Sequence, residues 1–124
     1  MGEITLKGIP TFRILDYKKA IDFYVHGLGF KIDWEHRFEP HAPIYMQISR
    51  NGLTLHLSEN KRFETGVIVF VDCKRLIEFY SDLRNRENKI GLTKPKETDW
   101  QTIQMEIEDP FGNLLRFNET VLAQ

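Results

Sequence analysis

Residues 16–24 read DYKKAIDFY and residues 72–80 read DCKRLIEFY, so five of nine positions are identical and two more exchange Lys for Arg or Asp for Glu. The flanks match in kind: IPTFRIL leads into the first copy and TGVIVFV into the second. A duplication constrains the fold more than any other feature, because each copy must adopt the same supersecondary unit. Two copies predict a paired module; a solenoid needs three or more.

Each copy reads as a strand entering a helix. Asp16 and Asp72 are candidate N-caps, whose carboxylates accept early backbone N–H groups. Ala20, Phe23 and Tyr24 give the first helix an apolar stripe, and Leu76, Phe79, Tyr80 and Leu83 give the second one. Gly27 and Gly91 are candidate stops. The rest is strand text, at 31–38, 44–50, 53–58, 66–71, 102–108 and 113–118. Asn51-Gly52 predicts a type I′ hairpin turn. The run 109–113 (DPFGN) predicts a second turn, 59–65 is a polar connector, and 94–100 is strand or loop. The order β-α-β-β-β, twice, predicts an α+β fold, one domain over 1–124 with internal modules near 4–62 and 63–124.

Bulk properties narrow the function classes. At 124 residues and 41% hydrophobic, the chain can bury a core without disulfide or metal staples. Seventeen basic and eighteen acidic side chains give no electrostatic reason to expect nucleic acid or an anionic membrane. Cys73 is the only cysteine, so no internal disulfide forms. The first residues lack a secretory signal pattern, and no stretch is apolar enough for a membrane span. A cytoplasmic location is the expectation.

Strand alternation separates two faces. Leu53, Leu55 and Leu57 oppose Thr54, His56 and Ser58. Phe12 and Ile14 oppose Thr11 and Arg13. Ile103, Met105 and Ile107 oppose Gln104 and Glu106, and Leu115 and Phe117 oppose Leu114, Arg116 and Asn118. One face packs the helices. The other collects Arg13, His56, Glu106 and Arg116, and is either a solvated sheet face or the lining of a cleft. Trp34 shares its alternation with Ile32, His36 and Phe38.

The segments FRILD (12–16), AIDFY (20–24), LGF (28–30), LTLHL (53–57) and EDPFGNLLRF (108–117) resemble the vicinal oxygen chelate superfamily of glyoxalases, extradiol dioxygenases and bleomycin-resistance proteins. The resemblance spans nearly the whole chain. Residues 34–38 (WEHRF) and Trp100 are similar to the bleomycin-resistance-like group. It implies two βαβββ modules forming a curved mixed sheet, a homodimer, and ligand sites in its clefts. Enzymes of the superfamily usually hold a divalent metal on four strands. Local matching puts those positions at Ile9, His56, Val67 and Arg116. Only His56 is a ligand type, and an arginine cation repels a metal. No metal and no cofactor are therefore expected.

The resemblance then implies a metal-free binding protein that sequesters a small aromatic compound, with antibiotic resistance of the bleomycin type as its setting. Trp34, Phe38, Tyr45 and Trp100 supply flat rings; Asp33, Glu35 and Asp99 would suit a cationic ligand. The ligand-binding candidates are Trp34, His36, Phe38, His56, Trp100, Glu106 and Arg116. The alternative is a glyoxalase-like lyase or related enzyme acting on a small carbonyl or carboxylate substrate, with His56 and Glu106 as acid and base and Arg116 clamping the acid group. Cys73, after a candidate N-cap, reads as an inert thiol.

Overall fold

Each half of the chain builds its own four-stranded sheet. The computed structural model describes residues 2–86 and 90–121. The first half contains β1 (Thr11–Arg13), α1 (Tyr17–Ile21), β2 (Lys31–His36), β3 (Tyr45–Arg50) and β4 (Leu53–Ser58). The second contains β5 (Ile68–Asp72), α2 (Leu76–Arg84), β6 (Lys96–Glu97), β7 (Thr102–Glu108) and β8 (Leu114–Thr120). The sheet orders are β1-β4-β3-β2 and β5-β8-β7-β6. In each sheet the first strand pairs in parallel with the last, and the remaining pairs are antiparallel. This is the predicted α+β architecture, and the undecided run 94–100 supplies the short strand β6.

Local chemistry explains most boundaries. Asp16 caps α1, its Oδ1 accepting from Lys19 N at 3.0 Å. After Ile21 the helix widens into a π-turn over Asp22–Gly27, with Leu28 N bonded to Phe23 O at 2.9 Å. Phe23 and Tyr24 both reach the core from this turn. Asn51 and Gly52 both have positive φ, 48° and 89°, as a type I′ turn between β3 and β4 requires.

Asp72 does not cap the second helix. It is the last residue of β5, which pairs with β8 over five residues, where β1 pairs with β4 over three. The longer strand delays the helix to Leu76. There the carboxylate of Glu119, on β8, accepts from Arg75 N at 2.9 Å and Leu76 N at 3.0 Å. The cap has moved from the adjacent residue to a neighbouring strand. α2 ends at Arg84, well before Gly91.

One core joins the halves. Phe12, Ile14, Tyr24, Met46, Leu55 and Leu57 from the first half cluster with Leu76, Leu83, Met105, Ile107, Leu115 and Phe117 from the second. The DPFGN turn fastens them. Asp109 is buried and accepts from Tyr24 OH at 2.6 Å, and from Asn113 N, Asn113 Nδ2 and Phe111 N. Burial, together with this carboxylate, raises the Tyr24 phenol well above its ordinary range. Asn113 is fully buried: its Nδ2 donates to Arg13 O at 2.9 Å and its Oδ1 accepts from Gly66 N and Val67 N. Both sheets turn their helix faces to this core, so their outer faces point away from it and from each other.

Candidate functional site on the outer sheet faces

The outer face of the first sheet carries an ordered polar chain. Cross-strand pairing sets Thr11, His56 and Gln47 abreast on β1, β4 and β3. Tyr45 OH lies 2.8 Å from His56 Nδ1, and His56 Nε2 lies 2.9 Å from Gln47 Oε1. Gln47 Nε2 and Ser49 Oγ donate to Asp33 at 3.1 and 3.0 Å. The anchoring carboxylate fixes every proton. A carboxylate only accepts, so Gln47 presents Nε2 to Asp33 and Oε1 to His56. His56 therefore carries its proton on Nε2, and Tyr45 donates to the bare Nδ1. Burial lowers the His56 pKa below 6.5, favouring this neutral form. The hydrogen bonds from Gln47 and Ser49 lower the Asp33 carboxyl.

Trp34 covers this chain. Its ring stacks on Tyr45 at 6.0 Å and 13°, and meets His56 edge-on at 5.3 Å. Simple alternation grouped Trp34 with Ile32, and the structure separates them. The β2–β3 register shifts between Ile32 and Trp34: Ile32 pairs with the buried Ile48, and Trp34 with Gln47. This irregularity turns the indole to the outer face, where it is 42% exposed. Tyr45, Gln47 and Thr11 belong to the same group; Tyr45 was read from the sequence only as a flat ring, and none of the three stood among the ligand-binding candidates. The alternation of Tyr45, Gln47 and Ser49 along β3 was the signal for two of them.

The other candidates fall into separate groups. His36 and Phe38 pair edge-to-face at 4.6 Å near the end of β2. Arg116 Nε donates to Glu106 Oε2 at 2.6 Å on the outer face of the second sheet. Trp100 is 65% exposed in the turn before β7. His56 is hydrogen-bonded to Tyr45 and Gln47 and Glu106 to Arg116, so the two do not bond each other directly. Of the acids expected to suit a cationic ligand, Asp33 accepts from Gln47 and Ser49 as above, and Glu35 accepts from Tyr17 OH at 2.5 Å. That bond pushes the Tyr17 phenol up to about 12.

The metal-ligand positions do not fit a divalent ion. Ile9 and Val67 precede β1 and β5, and the residues opposite His56 and Arg116 are Thr11 and Phe70. Both His56 nitrogens are engaged, and Arg116 is a cation. Among the described residues no three His, Cys, Asp or Glu side chains gather to hold a metal. Cys73 sits before α2 rather than at its N-terminus. Burial raises its thiol pKa, and Glu119 and Asp72 add to the effect.

A family model described as Glyoxalase superfamily protein matches residues 1–124. The chain belongs to the glyoxalase superfamily. Solved structures agree on the fold. The bleomycin resistance determinant encoded on transposon Tn5 is 23% identical, covers 95% of this chain and 100% of its own, and superposes with a TM-score of 0.74. A bleomycin-binding protein complexed with bleomycin is 22% identical, with 94% and 99% coverage and a TM-score of 0.70. The bleomycin-binding protein from bleomycin-producing Streptomyces verticillus, complexed with copper(II)-bleomycin, is 18% identical, with 99% and 100% coverage and a TM-score of 0.69. No curated protein matches. No helix among the described residues is long and apolar enough to cross a membrane.

Within one chain the platform of this glyoxalase-superfamily protein is open. A cavity of about 610 Å³ is lined by the first half and one of about 730 Å³ by both halves, and neither is lined by Trp34, His56, Glu106 or Arg116.

Proposed function

We propose that this protein is a metal-free binding protein of bleomycin-resistance type, which sequesters a small planar aromatic compound in a cleft closed by two copies of the chain. The observation that carries the reading is the exposed Trp34–Tyr45 stack, braced from beneath by the neutral His56. A flat, partly exposed ring pair on a rigid sheet suits a planar ligand. The arrangement of the two halves around one core supports a dimer. Each outer face is half a cleft. Pairing the Trp34 face of one copy with the Arg116 face of another gives two equivalent clefts about a two-fold axis. Phe70, 61% exposed beside Arg116, supports the same pairing as an apolar surface awaiting cover. We assign the protein to the cytoplasm.

The test is tryptophan fluorescence of the Trp100→Phe chain, which leaves Trp34 as sole reporter. Bleomycin and neutral phenazine are titrated in chelator. Saturable quenching by either at about 10 µM or below supports the reading. Unchanged emission with both at about 100 µM overturns it.

A further inference from the structure

Arg13 is the one residue, among those described, with a buried side-chain nitrogen that lacks a hydrogen-bond partner, its Nε. It lines the cavity of about 610 Å³ together with Arg37, His41, Glu59 and Lys61. Three basic side chains thus line the cavity with one carboxylate. That carboxylate is committed: Glu59 Oε1 accepts from Ile44 N at 3.0 Å and lies 3.5 Å from Arg37 Nη1. Arg37 Nη1 also donates to Ala42 O at 2.7 Å. Neither Arg13 nor Lys61 has an ion-pair partner among the described residues. A buried guanidinium N–H without an acceptor is costly, and native folds rarely keep one. An oxyanion in the cavity would balance the unpaired charge of Arg13 and Lys61.

We propose that this cavity is an oxyanion subsite that holds the acidic group of the ligand whose ring rests on Trp34 and Tyr45. The proposal rests on the aromatic platform for the ring, and on Arg13, Arg37 and Lys61 for the anion. Cross-strand pairing links the two. Arg13, Ser58 and Tyr45 lie abreast on β1, β4 and β3, so two strand spacings, about 10 Å, separate the backbones of Arg13 and Tyr45. The ligand class is therefore an aryl oxyanion: a flat ring bearing a carboxylate, sulfate or phosphate.

Calorimetric titration of the full chain with 2-naphthoate, 2-naphthyl phosphate, neutral 2-naphthalenemethanol and cationic 2-naphthylmethylamine tests it. The expected result is that at least one anion binds about tenfold or more tightly than the neutral alcohol, and the amine more weakly than either. Comparing carboxylate with phosphate identifies the preferred acid. The advantage disappears in Arg13→Gln, while affinity for the alcohol stays. Equal binding of all four overturns the subsite and leaves the platform standing. If none binds, the platform has failed, and sulfate decides the subsite alone. Sulfate that shifts the Arg13 Nε–H resonance in the wild-type chain upholds it, and an unshifted resonance overturns it.

Discussion

Replacing Asn113 by alanine should be among the most costly polar substitutions in the described residues. The side chain is fully buried and makes four hydrogen bonds: to Gly66 N at 3.0 Å, Val67 N at 3.1 Å, Arg13 O at 2.9 Å and Asp109 Oδ2 at 2.9 Å. A net hydrogen bond contributes about 1 kcal/mol, and a buried partner left unsatisfied costs about 1–3 kcal/mol. The two N–H groups are only partly buried and regain some hydration, so the sum is about 3–4 kcal/mol. Against a domain stability of about 5–15 kcal/mol that is a large share. It corresponds to a melting-temperature drop on the order of 10–15 °C for a chain this size. Urea unfolding at one fixed protein concentration measures it, because dimerisation would otherwise shift the midpoint. Asn113→Asp sharpens the result. The aspartate keeps acceptors for Gly66 and Val67, yet it loses both donors and sets a second carboxylate against Asp109. It should be at least as unstable as the alanine variant at neutral pH. A loss below about 1 kcal/mol in both variants would refute the claim that the four hydrogen bonds of this amide stabilise the fold.

Three further outcomes follow from the same geometry. Glu119→Ala removes the carboxylate that caps α2 and should cost about 1 kcal/mol, read as loss of helical signal and a lower urea midpoint. His56 is held neutral by burial, so the unfolded chain binds its proton more readily than the folded one. Its contribution to stability is whole above pH 6.5 and is lost as pH falls toward the lower folded pKa. The melting temperature of the wild type should therefore drop between pH 7.5 and 5 by more than that of His56→Gln. Tyr17 should titrate near 12 in the folded chain by ultraviolet absorbance, and Glu35→Gln should bring it back toward 10.

The repeat made the βαβββ order legible because local pattern and turn chemistry, as at Asn51-Gly52, decide it. Four things were not legible, each for a physical reason. The cap of α2 comes from Glu119, far along the chain, and local text offered only Asp72. The outward turn of Trp34 depends on a register shift between β2 and β3, which strict alternation cannot register. His56 was visible as a polar residue on an apolar-alternating strand. Its brace of Tyr45, Gln47 and Asp33 required knowing which strands are neighbours. The separation of His56 from Glu106 and Arg116 is a property of how the two sheets pack on one core. Alternation reports which residues share a face and is silent on where that face points.

Subunit mixing tests the shared cleft most directly. Trp34→Ala and Arg116→Glu chains are prepared separately, then unfolded together in equal amounts and refolded. Calorimetry with 2-naphthoate then counts sites. Each parent homodimer should bind weakly, since both of its clefts carry a defect. Half of the mixed population is heterodimer, and each heterodimer has one intact cleft, so about a quarter of the wild-type sites should return at wild-type affinity. No recovery on mixing, or full binding by either parent, would contradict a cleft built from the Trp34 face of one copy and the Arg116 face of another.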